Sequence, residues 1–85
     1  MEKLPDGRYK PPSGVVRPGM KGDDVLWVQI ALNGPQIMNA NLTPDGSYGP
    51  KTTEAVKAYQ KKYGLAVDGI FGPKSLAKMF EIMGW

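Results

Sequence analysis

The sequence predicts an all-α fold, a compact three-helix bundle with turn-rich connections. Three observations carry this. Apolar residues recur at helical spacing in three separate stretches, each stretch has its own start and stop residues, and one turn phrase stands in front of two of the helices. Asp45-Gly46-Ser47-Tyr48-Gly49-Pro50-Lys51 returns as Asp68-Gly69-Ile70-Phe71-Gly72-Pro73-Lys74, followed by a hydroxyl residue, Thr52 or Ser75. Asp-Gly sets a turn, since Asp can hydrogen-bond backbone two residues on and Gly accepts positive φ. Gly-Pro then launches a helix, because Pro at its first position loses no hydrogen bond.

Residues 1–16 hold Pro5, Pro11 and Pro12 with charges between them and read as an extended arm or linker. Val15 and Val16 are its candidates for packing onto the core. The domain proper is expected over 17–85. Its first helix is predicted from Asp24 to Asn33, with Asp23 as N-cap and Asp24 favoured by the helix dipole. Val25, Val28, Gln29 and Leu32 form its buried seam, and Gly34-Pro35 ends it. A loop follows to Thr43, with Ile37, Met38 and Leu42 expected to turn inward. The second helix is predicted from Pro50 to Tyr63, stopped by Gly64, with Val56, Tyr59, Gln60 and Tyr63 as its seam. Both seams read Val-x-x-Φ-Gln-x-x-Φ, so a second repeat relates the helices, with Gln29 and Gln60 in one slot. The third helix runs from Pro73 to Met83 and presents Leu76, Met79, Phe80 and Met83.

Eighty-five residues, 41% of them apolar, make one small domain. The chain has no Cys and no His, which excludes disulfides, thiolate chemistry, His-based acid–base catalysis and most zinc sites. No apolar run approaches the roughly 20 residues of a membrane span, and no signal peptide is visible. The net charge of +3 is mild. It suits an anionic polymer, and equally a plain solvated surface. Asp23, Asp45 and Asp68 each have a cap or turn to serve, and the other carboxylates are isolated, so no catalytic pair is expected. One carboxylate per phrase is too few for calcium. No metal, cofactor or catalytic residue is expected.

Several ordered segments together resemble the type 1 peptidoglycan-binding domain: Val25 to Leu32, Asp45 to Thr52, Tyr59 to Leu65 and Val67 to Ser75, preceded by Pro18-Gly19-Met20-Lys21-Gly22-Asp23. The resemblance covers Arg17 to about Phe80. It departs in a longer loop from Asn33 to Leu42 and in Val28, where Leu is usual. The resemblance implies a non-catalytic module that tethers a cell-wall hydrolase to peptidoglycan, in a bacterial wall, extracellular or phage-derived setting. It implies no membrane partner and a monomeric domain. Relatives that serve as metalloprotease pro-segments carry a zinc-blocking Cys, which is missing here. Two other readings stand beside it. One is a scaffold that kept the fold without wall binding. The other is a nucleic-acid-binding bundle, disfavoured because no helix carries a basic, base-reading face.

A wall glycopeptide offers sugar faces, amides and carboxylates. Its candidate contacts are Trp27, off the first seam; Asn41 and Thr43, in the polar loop; Tyr48, whose hydroxyl can face solvent; and Lys51 and Lys62, for carboxylates. Gln29 and Gln60 are expected to bond loop backbone. Of the two phrases, the first, with Ser47-Tyr48, is expected to meet ligand. The second, with Ile70-Phe71, is expected to be buried.

Overall fold

The computed structural model describes residues 2–84; Met1 and Trp85, the ends of the expected arm and domain, lie outside the described residues. Three helices follow in order: α1 Asp23–Asn33, α2 Pro50–Lys62 and α3 Pro73–Met83. Among the described residues the extended backbone forms only isolated bridges. The fold is therefore all-α, as the periodicity predicts.

The two Gly-Pro starts work as expected, with Pro50 and Pro73 inside the first turns of α2 and α3. The start of α1 differs. Asp23 is its first helical residue, and Gly22, at φ 125°, holds the cap position without a side-chain cap. The cause is tertiary. The Gly22 N–H donates to the Gly46 carbonyl at 2.9 Å, and Lys21 bridges Ser47, so the chain entering α1 is pinned to the first phrase. At the other end, Gly34 is not left-handed (φ −60°). A side chain there would be tight, since a Cβ would lie 3.1 Å from the Ala31 carbonyl oxygen, which would have to give by a few tenths of an ångström. Helix α2 stops one residue sooner than predicted. Gly64, at φ 72°, turns the chain so that the Leu65 N–H reaches the Gln60 carbonyl at 2.8 Å. This is a Schellman closure, in which a left-handed glycine satisfies the last carbonyls.

The core sits where the seams meet. Val25, Val28, Leu32, Val56, Tyr59, Phe71 and Met79 are buried. Tyr59 lies among them against Phe71 and Tyr63, its hydroxyl donating to the Ser75 carbonyl at 2.9 Å. The connections contribute too. Ile37 is buried, and Met38 and Leu42 pack against the cluster. So does Val16, which exchanges backbone hydrogen bonds with Phe71 at 2.9 and 2.8 Å and ties the expected arm to the second phrase. Further out, residues 2–10 close a small hairpin: Lys3 bridges Tyr9, and the Lys10 N–H donates to the Glu2 carbonyl at 2.8 Å.

Candidate functional site

The repeated phrase and the repeated glutamine explain one another. Gln29, buried on α1, reaches the first phrase. Its Nε2 donates to Asp45 Oδ1 at 3.0 Å, the Ser47 carbonyl at 3.0 Å and Thr52 Oγ1 at 3.1 Å, and its Oε1 accepts from the Gly46 N–H at 2.9 Å. Gln60 on α2 does the same for the second phrase. Its Nε2 donates to Asp68 Oδ1 at 2.9 Å, the Ile70 carbonyl at 2.9 Å and Ser75 Oγ at 3.2 Å. Its Oε1 accepts from the Asp68 and Gly69 N–H groups. Only an amide supplies donors and an acceptor at one buried point. Each Asp also accepts from the N–H two residues on, Ser47 or Ile70. These bonds favour the charged form. The Ser47 N–H first, then Gln29, hold the Asp45 carboxyl below its ordinary value, and the Ile70 N–H and Gln60 do so for Asp68.

A shallow groove runs beside the first lock, between the loop before it and the first turns of α2. Met38, Ala40, Asn41, Leu42, Pro50, Lys51, Glu54 and Ala55 line one part. Leu42, Thr43, Ser47, Pro50 and Lys51 carry it on toward the turn. The loop wall is fixed from behind. Asn33 Nδ2 donates to the Leu42 carbonyl at 2.8 Å, and the Leu42 N–H returns to Asn33 Oδ1 at 2.6 Å. Asn39 and Asn41 take φ of 50° and 59°, the left-handed region that Asn tolerates better than most residues. The Asn41 side chain thus belongs to an exposed residue on a braced loop.

Three of the six predicted contact residues, Asn41, Thr43 and Lys51, meet at this groove, and all three are exposed. The other three stand elsewhere. Trp27 is not an exposed ring: it is 5% exposed, lies edge-on to Phe80, and its indole N–H donates to the Tyr9 carbonyl at 3.3 Å. The arm and α3 cover Trp27 on the side of α1 that the seam leaves open, while Ile30 on the same side stays exposed. Tyr48 is 2% exposed, and its hydroxyl donates to the Gly69 carbonyl at 2.5 Å instead of facing solvent. Burial pushes its phenol well above the ordinary value. Lys62 directs its ammonium to the Ile37 carbonyl at 2.9 Å, which the Tyr63 hydroxyl also meets at 2.6 Å. That carbonyl takes two donors, so Lys62 braces the loop from its far side. In the second phrase Phe71 is buried as expected, but Ile70 is 36% exposed. Sequence reasoning missed Asn33 as the brace of the groove wall. Its place one residue before the helix-ending glycine suggested only a helix terminus. It also missed a separate apolar depression formed by Tyr9, Trp27, Ile30, Ala31, Ile37 and Met83, which needs the arm to be folded back.

No group of three or more acidic side chains among the described residues is gathered as a metal site would require. Nor is any helix among them long and apolar enough to cross a membrane.

Three short helices, the second and third entered through glutamine-locked turns, define a small all-α module, and comparison with known proteins gives its family. Residues 21–79 match the family described as "Putative peptidoglycan binding domain". The chain belongs to this peptidoglycan-binding family. It is 46% identical over 84 residues to a probable N-acetylmuramoyl-L-alanine amidase of Bacillus licheniformis, covering 94% of this chain and 23% of that one. It is 40% identical over 70 residues to the zinc D-Ala-D-Ala carboxypeptidase of Streptomyces albus G, covering 82% and 28%. A crystal structure of a peptidoglycan-binding protein from Clostridioides difficile superposes with a TM-score of 0.70 at 43% identity, over 76% of this chain and 39% of that one. The SleB N-terminal domain superposes with a TM-score of 0.76 at 29% identity, over 85% and 96%. The chain spans about a quarter of the length of the two curated relatives (23% and 28%). It corresponds to their binding domain, and the catalytic parts of such relatives lie elsewhere.

Proposed function

We propose that this chain is a non-catalytic module that holds a cell-wall hydrolase on peptidoglycan, at the bacterial wall or in its extracellular surroundings, and that the groove of Asn41, Thr43 and Lys51 is its contact with the glycan strand. The observation that carries the assignment is the meeting of these three exposed polar residues where a braced loop leads into α2, while the Asn33, Gln29 and Thr52 side chains beside them are engaged in scaffold bonds. An N-acetylated sugar matches this lining. Leu42, Pro50 and Ala55 give an apolar floor for a sugar face, and the Asn41 amide and the Thr43 and Ser47 hydroxyls can exchange hydrogen bonds with acetamido and hydroxyl groups. Lys51 stands at the rim for carboxylates. The module acts as a monomer, and its hold on the wall gains strength when it is linked to an enzyme that also binds the wall.

Sedimentation with purified, insoluble sacculi tests this. The chain should co-sediment, and Asn41→Gly, which removes the amide but keeps the left-handed backbone at ease, with Lys51→Gln should reduce the bound fraction without lowering thermal stability. Failure of the unaltered chain to sediment with sacculi of any wall type would overturn the reading in favour of a scaffold. A salt-dependent shift of labelled DNA at micromolar protein would revive the nucleic-acid reading.

A further inference from the structure

The internal repeat carries the depression as well as the turn. Moving along the chain by the interval that takes Asp45 to Asp68 brings Leu42 onto Leu65, Pro50 onto Pro73 and Lys51 onto Lys74. Those three residues line a second depression beside the second lock. The polar members of the first groove do not carry over. Ala66 stands where Thr43 does, and Ile70 where Ser47 does. The second groove is therefore walled by the methyl and methylene groups of Leu65, Ala66, Ile70 and Pro73, with the Lys74 ammonium on an exposed residue at its rim. The Asp68 carboxylate also borders it, but accepts from the Ile70 N–H at 2.9 Å and from Gln60 at 2.9 Å. The backbone behind the groove is thus as firmly fixed as that of the first. Ile70 is held partly in water where the other copy carries a hydroxyl.

We propose that this second groove is a separate binding site for a short alanine-type peptide with a free C-terminal carboxylate. The methyl side chains would lie against Leu65, Ala66 and Ile70, and the carboxylate would pair with Lys74. The choice of ligand rests on the wall-binding reading, since such a peptide is the other half of a wall polymer whose glycan the first groove takes. Gln60, the lock of the second groove, lies ten residues after Pro50 on α2 (50 to 60), about 15 Å along the helix axis. One rigid module then holds the glycan and its peptide side chain at two points.

The test is an amide chemical-shift titration of the ¹⁵N-labelled chain with N-acetyl-D-Ala-D-Ala, with its C-terminal amide as control. The acid should shift the amides of Ala66, Ile70, Lys74 and Ser75. The uncharged amide should bind weakly or not at all. Lys74→Gln should weaken binding of the acid by about fivefold, the scale of an exposed ion pair. Ile70→Ser, which gives the second groove the first groove's residue, should also weaken it; the undisturbed remainder of the spectrum reports folding for each variant. Silence at these four amides, equal binding of acid and amide, or indifference to both Lys74→Gln and Ile70→Ser would overturn the proposal. Sacculus binding by a chain whose second groove is silent defeats this inference and leaves the wall-binding reading standing. Shifts at the second groove without sacculus binding do the reverse.

Discussion

Gln60 and Asp68 hydrogen-bond in both directions: Gln60 Nε2 donates to Asp68 Oδ1 at 2.9 Å, and the Asp68 N–H donates back to Gln60 Oε1 at 3.1 Å. The helix and the turn that follows it therefore fix each other. Removing the amide leaves the Gly69 N–H and the Ile70 carbonyl beneath it without that partner. Gln60→Leu should destabilise the domain by about 2–4 kcal/mol, because buried groups lose hydrogen bonds that water cannot replace. Gln60→Glu should be at least as harmful, since it sets a second carboxylate against Asp68. Urea unfolding measures both. A loss below about 0.5 kcal/mol, the scale of a neutral surface change, would contradict the role.

The two phrase aspartates predict an acid limb. Each has a folded pKa held below its unfolded value by hydrogen bonds to the charged form, from the Ser47 N–H and Gln29 in one case and from the Ile70 N–H and Gln60 in the other. A depressed carboxylate pKa gives stability that is fully present above the unfolded value, about 3.9. That stability is lost as pH falls through the folded pKa, because the unfolded chain takes up the proton first. The urea midpoint should therefore hold steady from neutrality to about pH 5 and fall below about pH 4. Asp45→Asn with Asp68→Asn should lower the plateau and flatten the fall. An unchanged slope in the double variant would show that other groups set the acid limb.

How much of this was legible in the sequence follows from how local each determinant is. Helix starts at Pro50 and Pro73, and the seams with Gln29 and Gln60, depend on spacing within one stretch, and the structure has them where the sequence puts them. The start of α1 was one residue off because Gly22 answers to Gly46, far along the chain. The surface was harder to read. Trp27 lies off the seam, and nothing in its own helix announces that Tyr9 and Phe80 cover it. Tyr48 has a hydroxyl, which suggested solvent, and the partner that buries it is a carbonyl in the other phrase. Asn41, Thr43 and Lys51 were legible as a group because a polar loop leads directly into the helix that carries the lysine.

The Tyr48–Gly69 bond joins the two phrases, so Tyr48→Phe tests whether they act as one unit. The ring stays in the core, and only the hydroxyl that meets the Gly69 carbonyl is lost. The cost should be about 1–2 kcal/mol, the penalty of leaving a buried carbonyl short of a partner. Because Tyr48 presents no surface to a ligand, sacculus binding by the folded variant should match that of the unaltered chain. Reduced binding at equal folded fraction would return Tyr48 to the contact surface.

The arm should report on Trp27. With the indole N–H on the Tyr9 carbonyl and the ring edge-on to Phe80, deletion of residues 2–10 uncovers one edge of the ring. Trp27 emission should shift to the red in the truncated chain, with Trp85→Phe introduced in both chains so that only one indole is read. The domain itself should remain folded, because Val16 and its bonds to Phe71 stay in place. Extending the deletion through Val16 removes a fully buried residue and should cost about 2–4 kcal/mol more. An unshifted spectrum in the shorter deletion would mean that α1 and α3 alone enclose the ring.

The equivalent glycines of the two phrases should differ in their tolerance of a side chain. Gly46 and Gly69 both have φ of 74°, so alanine at either is strained by about 1–2 kcal/mol. Their surroundings are unlike. A Cβ at position 46 would stand 3.3 Å from the Gly22 carbonyl oxygen, part of the backbone that also donates to Gly46 and leads into α1. At position 69 the nearest atoms are Lys57 Cε and Thr53 Cγ2, both at 3.1 Å. The lysine can swing into solvent, and Thr53, whose hydroxyl donates to the Gly49 carbonyl, must give by a few tenths of an ångström, but both are side chains and not backbone. Gly46→Ala should therefore be the more destabilising of the pair, by about 1 kcal/mol beyond the shared strain, the scale of one lost or distorted backbone hydrogen bond. It should also disturb amide shifts at Lys21, Gly22 and Asp23. Equal losses in urea unfolding, with no shift change at Gly22, would show that the entry to α1 is looser than the Gly22–Gly46 bond implies.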